Sequence, residues 1–224
     1  MSHPARRAYA FAAATAALAV VAAGCSTPSP ASAPAEPAFL ARSVLPDGEA
    51  NPMIAEGVAL GAGADLYKTS GLGPTRLNTA AADGTPESFV DTTQFTGGTL
   101  PAGVTITEAQ GLNVLRNIRE NLELQGLTLE NVTTMRVFLD NAPGTDRADY
   151  AGWNRAYRQY FANTNLTTGD TELVPLGTAE PAAPLLRNPT RPSRFALEVQ
   201  SLPVVGWLVE VEVDAVFPAD VNPD

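Results

Sequence analysis

From residue 207 to residue 217 the chain reads WLVEVEVDAVF, with apolar and charged side chains in alternation. A period of two puts Val209, Val211, Val213 and Ala215 on one face of a strand. Glu210, Glu212 and Asp214 fall on the other face. The segment from Arg194 to Val199 carries a shorter version of the pattern, and VTTMRVFLD (132–140) places Met135, Val137 and Leu139 together. Between these strands the period changes. Leu112, Leu115, Ile118 and Leu122 recur at helical spacing behind Thr105 and Glu108, a capping-box pair, and Gly126 offers a stop. A second helix follows GTDRAD, with Tyr150, Trp153, Tyr157 and Tyr160 or Phe161 as its stripe. GVALGAGADLYKTSG (57–71) reads as two short strands around a glycine-rich turn. Two long polar stretches, 72–104 and 163–190, carry neither period and read as inserts. The sum is ββ-(insert)-α-β-α-(insert)-ββ, an α+β layout with two helices on one face of a mixed sheet.

The N-terminus departs from this patterning. Residues 1–24 join Arg6 and Arg7 to an apolar run, Phe11 to Ala23, short for a bilayer span, which reads as an export signal. The signal ends in VAAGC, which resembles a bacterial lipobox with Cys25 as the lipidated residue. Secretion and twin-arginine export both stay open for ARRAYAF. Residues 25–38 form a Pro/Ala/Ser linker suited to holding a domain off a membrane surface. The domain itself is expected over 39–218, with a short tail at 219–224. These features predict an exported protein, lipid-anchored to a bacterial membrane.

Composition then removes many chemistries. Cys25 is the single cysteine and His3 the single histidine of the 224 residues. A mature chain from Cys25 has no histidine and no spare thiol, so a Ser-His-Asp triad, a Cys-His pair and a usual zinc site are all excluded. The signal removes two of 14 basic residues and none of 24 acids, leaving 12 against 24 and a net charge of −12. That charge disfavours nucleic acid as a partner.

One cation is conspicuous. Arg194 heads a strand that enters the core, where an unpaired charge costs several kcal/mol. The short link QSLPVVG to the last strand suggests an antiparallel pairing that brings Arg194 near Glu210 or Glu212. Three acids on one strand face also need a cation or space between them. A structural ion pair and an anion-binding site both remain open.

The order of several segments resembles the Rid family, the reactive intermediate deaminases, also known as the YjgF or L-PSP endoribonuclease family. They are TSG (69–71), NVLRNIRENLELQGLTLENVTTMRVFLDN (113–141), YAGWNRAYRQYF (150–161), PSR (192–194), and LP followed by EVEVDAV (210–216). The resemblance implies a chorismate-mutase-like fold, a homotrimer, and pockets in the clefts between subunits. It also implies hydrolysis of a small enamine or imine acid to a keto acid and ammonia, with no metal or organic cofactor. By position, Arg194 matches the arginine that pairs with the substrate carboxylate. Glu210 matches the acid that positions or activates water, and Ser70 and Asn154 match polar pocket residues. Three positions depart from the family: Gly57 where a substrate-contacting tyrosine is usual, Leu72 in place of glutamine, and Ala196 where cysteine is common. The inserts are expected to overhang the pocket or the subunit interface. A non-catalytic binding protein for small carboxylates is the alternative expectation, and a purely structural trimer would need Arg194 sealed by Glu212. Ribonuclease action is opposed by the net charge and the missing histidine.

Overall fold

The computed structural model describes residues 40–219. The signal, the linker, Cys25 and residues 220–224 lie outside the described residues.

The last strand forms where the alternation predicts it. Strand β6, Val209–Val216, is the second of four in a mixed sheet ordered β3–β6–β4–β5. Its neighbours are β3, Leu66–Lys68, and β4, Val132–Leu139, both antiparallel to it. Strand β5, Ser193–Glu198, pairs in parallel with β4 and closes the far edge. The predicted antiparallel pairing of β5 with β6 is therefore wrong: β4 lies between them. The two strands expected in 57–71 exist but do not pair with each other. Strand β2, Gly57–Leu60, instead meets β1, Ala41–Val44, an unpredicted strand, in a separate two-stranded ladder.

Both helices cover one face of the four-stranded sheet. Helix α1, Ile106–Glu123, buries Leu112, Leu115, Ile118 and Leu122 against Val209, Val211 and Val213 of β6 and Val137 of β4. Helix α2, Tyr150–Arg158, adds Trp153 and Tyr157 to the same core. Only half of the expected capping box forms. The Thr105 hydroxyl accepts the Glu108 N–H at 3.0 Å, but the Glu108 carboxylate turns away to Arg155 and the Gly177 N–H. Thr105 also donates to Asp149, the N-cap of α2, so the two helix starts are tied together.

The helices approach closely at Gly111, where an added Cβ would come within 2.7 Å of the Ala156 methyl. Gly111→Val is expected to destabilise the fold by about 1–3 kcal/mol through overpacking, read as a lower urea midpoint at unchanged slope.

The two inserts hold no α-helix. Residues 72–104 make three short 3-10 turns, and polar side chains of α1 fasten them. Asn113 donates to the carbonyls of Thr75 and Phe89, and Gln110 to those of Pro86 and Gly206. In 163–190, Asn163 and Gln159 perform the same service for Leu186 and Pro175.

Candidate functional site

Arg194 lies opposite Met135 in the β4–β5 register, so its side chain emerges on the helix-covered face. There its guanidinium lies over the ring of Tyr157, 4.2 Å from the centroid. One nitrogen, Nη2, donates to Asn154 Oδ1 at 2.8 Å and reaches the Met53 sulfur at 3.9 Å. The other, Nη1, is shielded from solvent and has no partner. Burial pulls the Arg194 pKa below its ordinary value, and among the described residues no carboxylate pairs with it.

Tyr157 is well suited as a platform. Its hydroxyl donates to the Met53 carbonyl at 2.9 Å, and its ring stacks on Phe161. Burial raises its phenol far above the usual range, and Arg194, Arg191 and Arg158 counteract only part of that. The phenol therefore stays neutral. Three arginines thus surround one ring, and among the described residues none of them forms an ion pair. Arg191 is held by the carbonyls of Pro52, Thr164 and Pro189.

Glu210 lies opposite Phe138 on the helix-free face. Its carboxylate packs against Gly71, where any Cβ would run into it, and no described residue pairs with it. Burial raises its pKa above the ordinary glutamate value. The adjacent acids behave differently. Glu212 takes Lys68 at 2.6 Å, and Arg136 reaches Asp214 at 2.7 Å and Glu212 at 3.8 Å. These two basic residues separate the like charges that the strand pattern raised as a difficulty. Glu212 therefore does not seal Arg194, and the single acid without a partner on this face of β6 is Glu210.

The predicted residues thus fall into two groups. Arg194 and Asn154 meet through a hydrogen bond. Ser70, exposed, precedes Gly71, the residue against which the Glu210 carboxylate packs. Arg194 and Glu210 do not meet, because they emerge on opposite faces of the sheet with β4 between them. Gly57 sits in the outer ladder with open space around it. Leu72 extends the β6 edge through a bridge to Val211, and Ala196 faces the core opposite Val137. The sequence assigns no site role to Met53, Tyr157, Arg158 or Gly71. Tyr157 reads as a core position and Gly71 as part of TSG, and neither pattern carries the contact each makes.

The helix-free face is also partly apolar. Phe195 and Leu197 of β5 are 44% and 50% exposed, and Phe195 packs edge-on against Phe138.

The chain is similar to several solved structures. One is YyfB of Yersinia pestis, of the Rid family, with 17% identity and a TM-score of 0.45, covering 80% of this chain and 100% of that one. The Escherichia coli YjgF gene product shares 22% identity at a TM-score of 0.37, covering 79% and 94%. Rv2704 of Mycobacterium tuberculosis, from the YjgF/YER057c/UK114 family, shares 19% at 0.38, covering 79% and 99%. No curated protein matches the chain. The profile of the family described as Endoribonuclease L-PSP matches residues 90–217, more than half of the sequence, and the chain belongs to that family, the Rid/YjgF proteins.

Proposed function

We propose that the protein is a hydrolytic deaminase of small enamine or imine acids, acting as a homotrimer tethered to the bacterial envelope through Cys25. The observation that carries this reading is the state of Arg194. A desolvated guanidinium with one nitrogen unpartnered is costly unless an anion completes it. Its planar fork suits a carboxylate.

In the reaction, the substrate carboxylate binds Arg194 and water adds to the C=N carbon. Glu210 takes a proton from that water and passes it to nitrogen. The C–N bond of the resulting carbinolamine breaks as its hydroxyl proton passes to the leaving nitrogen, and a keto acid and ammonia leave. Because Arg194 and Glu210 occupy opposite faces of one sheet, each pocket draws them from two neighbouring copies. Trimer formation is usual in the family, and a second copy would cover the exposed Phe195 and Leu197.

The second reading is a binding protein without turnover. Gly57 favours it, since the position offers no side-chain hydroxyl. Ammonia release from freshly generated 2-iminopropanoate separates the two. The deaminase releases ammonia faster than buffer. The binding protein leaves the background rate unchanged, yet is protected from heat by pyruvate.

A further inference from the structure

The insert at 163–190 builds a wall beside the Arg194 group. It sets Leu173, Val174 and Pro175 against Met53, Asn154, Arg155 and Arg158 around a cavity of about 250 Å³. Two of these lining residues, Met53 and Asn154, also touch Arg194. The wall is fastened on both sides. Gln159 donates to the Pro175 carbonyl at 3.1 Å, and the Gly177 N–H donates to Glu108 at 2.9 Å.

The cavity's two arginines differ. Arg155 is neutralised by Glu108 at 2.8 Å. Arg158 has no side-chain hydrogen bond and no ion pair among the described residues, and its Nε is shielded from solvent without a partner. Asn154 and Arg158 are one helical turn apart on α2, so they share a face. Arg158, which lines the cavity, and Arg194, which Met53 and Asn154 of the lining touch, are thus both without an anion among the described residues, in a chain where acids outnumber bases 24 to 14. Besides Asn154 and the ion-paired Arg155, the rest of the lining is apolar: Met53, Leu173, Val174 and Pro175.

We propose that this cavity takes the second carboxylate of a dicarboxylic imino acid. Arg158 holds the distal group while Arg194 holds the carboxylate next to the C=N carbon. Met53, Leu173, Val174 and Pro175 contact the carbons between. The inference rests on the reading of Arg194 as a carboxylate anchor. A carboxylate fits better than a phosphate, because Arg158 lies in the last turn of α2, where the helix dipole repels a dianion more than a monoanion.

Calorimetric titration of the purified full-length protein with succinate and butyrate tests it, since the two share a carbon chain and differ in the second carboxylate. Succinate is expected to bind about tenfold or more tightly than butyrate. Arg158→Leu lowers succinate to the butyrate level, and Arg158→Lys keeps part of the difference. Equal affinities in the wild type, a preference that survives Arg158→Leu, or binding of neither acid would each overturn the proposal. Ammonia release from 2-iminopropanoate is followed in parallel. Turnover without a succinate preference removes only the dicarboxylate site, whereas a succinate preference without turnover removes only the deaminase.

Discussion

Arg194→Ala is expected to lower kcat/KM for a small imino acid by about a hundredfold to ten-thousandfold. The estimate follows from two charge-assisted hydrogen bonds, each worth about 1.5–3 kcal/mol when an ion is involved. Most of the loss should appear in KM, because the carboxylate is held alike in ground and transition states. The fold should survive. The substitution removes a desolvated cation from the face of Tyr157 and leaves Asn154 Oδ1 to find water. A melting temperature within a few degrees of wild type is the check. Arg194→Lys should recover little activity. An ammonium cannot lie flat on Tyr157, bond Asn154 and present a planar fork at once.

Glu210→Gln is the second large effect, with an expected loss in kcat of about a hundredfold or more and little change in KM. It carries a pH signature. Glu210 must be ionised to accept a proton, and burial raises its pKa. Wild-type activity should therefore fall on the acid side at a pH above the ordinary glutamate value. Stability runs in the opposite sense. A carboxyl with a raised folded pKa favours the folded state below its unfolded pKa, and that advantage is lost as pH rises through the folded one. Glutamine carries no charge to desolvate, so Glu210→Gln should be at least as stable as wild type at neutral pH. A pH–rate profile beside thermal melts at pH 7 checks both.

The parts of this molecule that could be read from the chain are those governed by local periodicity. The alternation in β6 and the helical spacing of Leu112, Leu115, Ile118 and Leu122 both reflect burial of one side of an element. Lateral order in the sheet is a different matter. A short link between β5 and β6 invites the assumption that they pair, yet β4 takes the place between them, and no residue within the link announces this. The difference matters at the site: the link suggests that Arg194 comes near Glu210 or Glu212, whereas the register sends it to the opposite face.

Tyr157 shows a second limit. A tyrosine in a helical apolar stripe looks the same in sequence whether its ring meets aliphatic side chains or a guanidinium. Gly71 shows a third, since a bare backbone beside the Glu210 carboxylate is visible only once the chain is folded. Arg194 and Asn154 are singled out one by one by the family resemblance, and the hydrogen bond between them is visible only in the fold.

The division of Arg194 and Glu210 between two faces makes the central claim testable in one mixture. Arg194→Ala and Glu210→Gln protein, each inactive alone, are unfolded together, refolded at equal amounts and assayed for ammonia release from 2-iminopropanoate. In random trimers about one pocket in four combines an intact Arg194 with an intact Glu210 from the neighbour. The account predicts about a quarter of wild-type activity. Activity no higher than that of either parent, from a mixture that forms trimers, would contradict a site shared between copies.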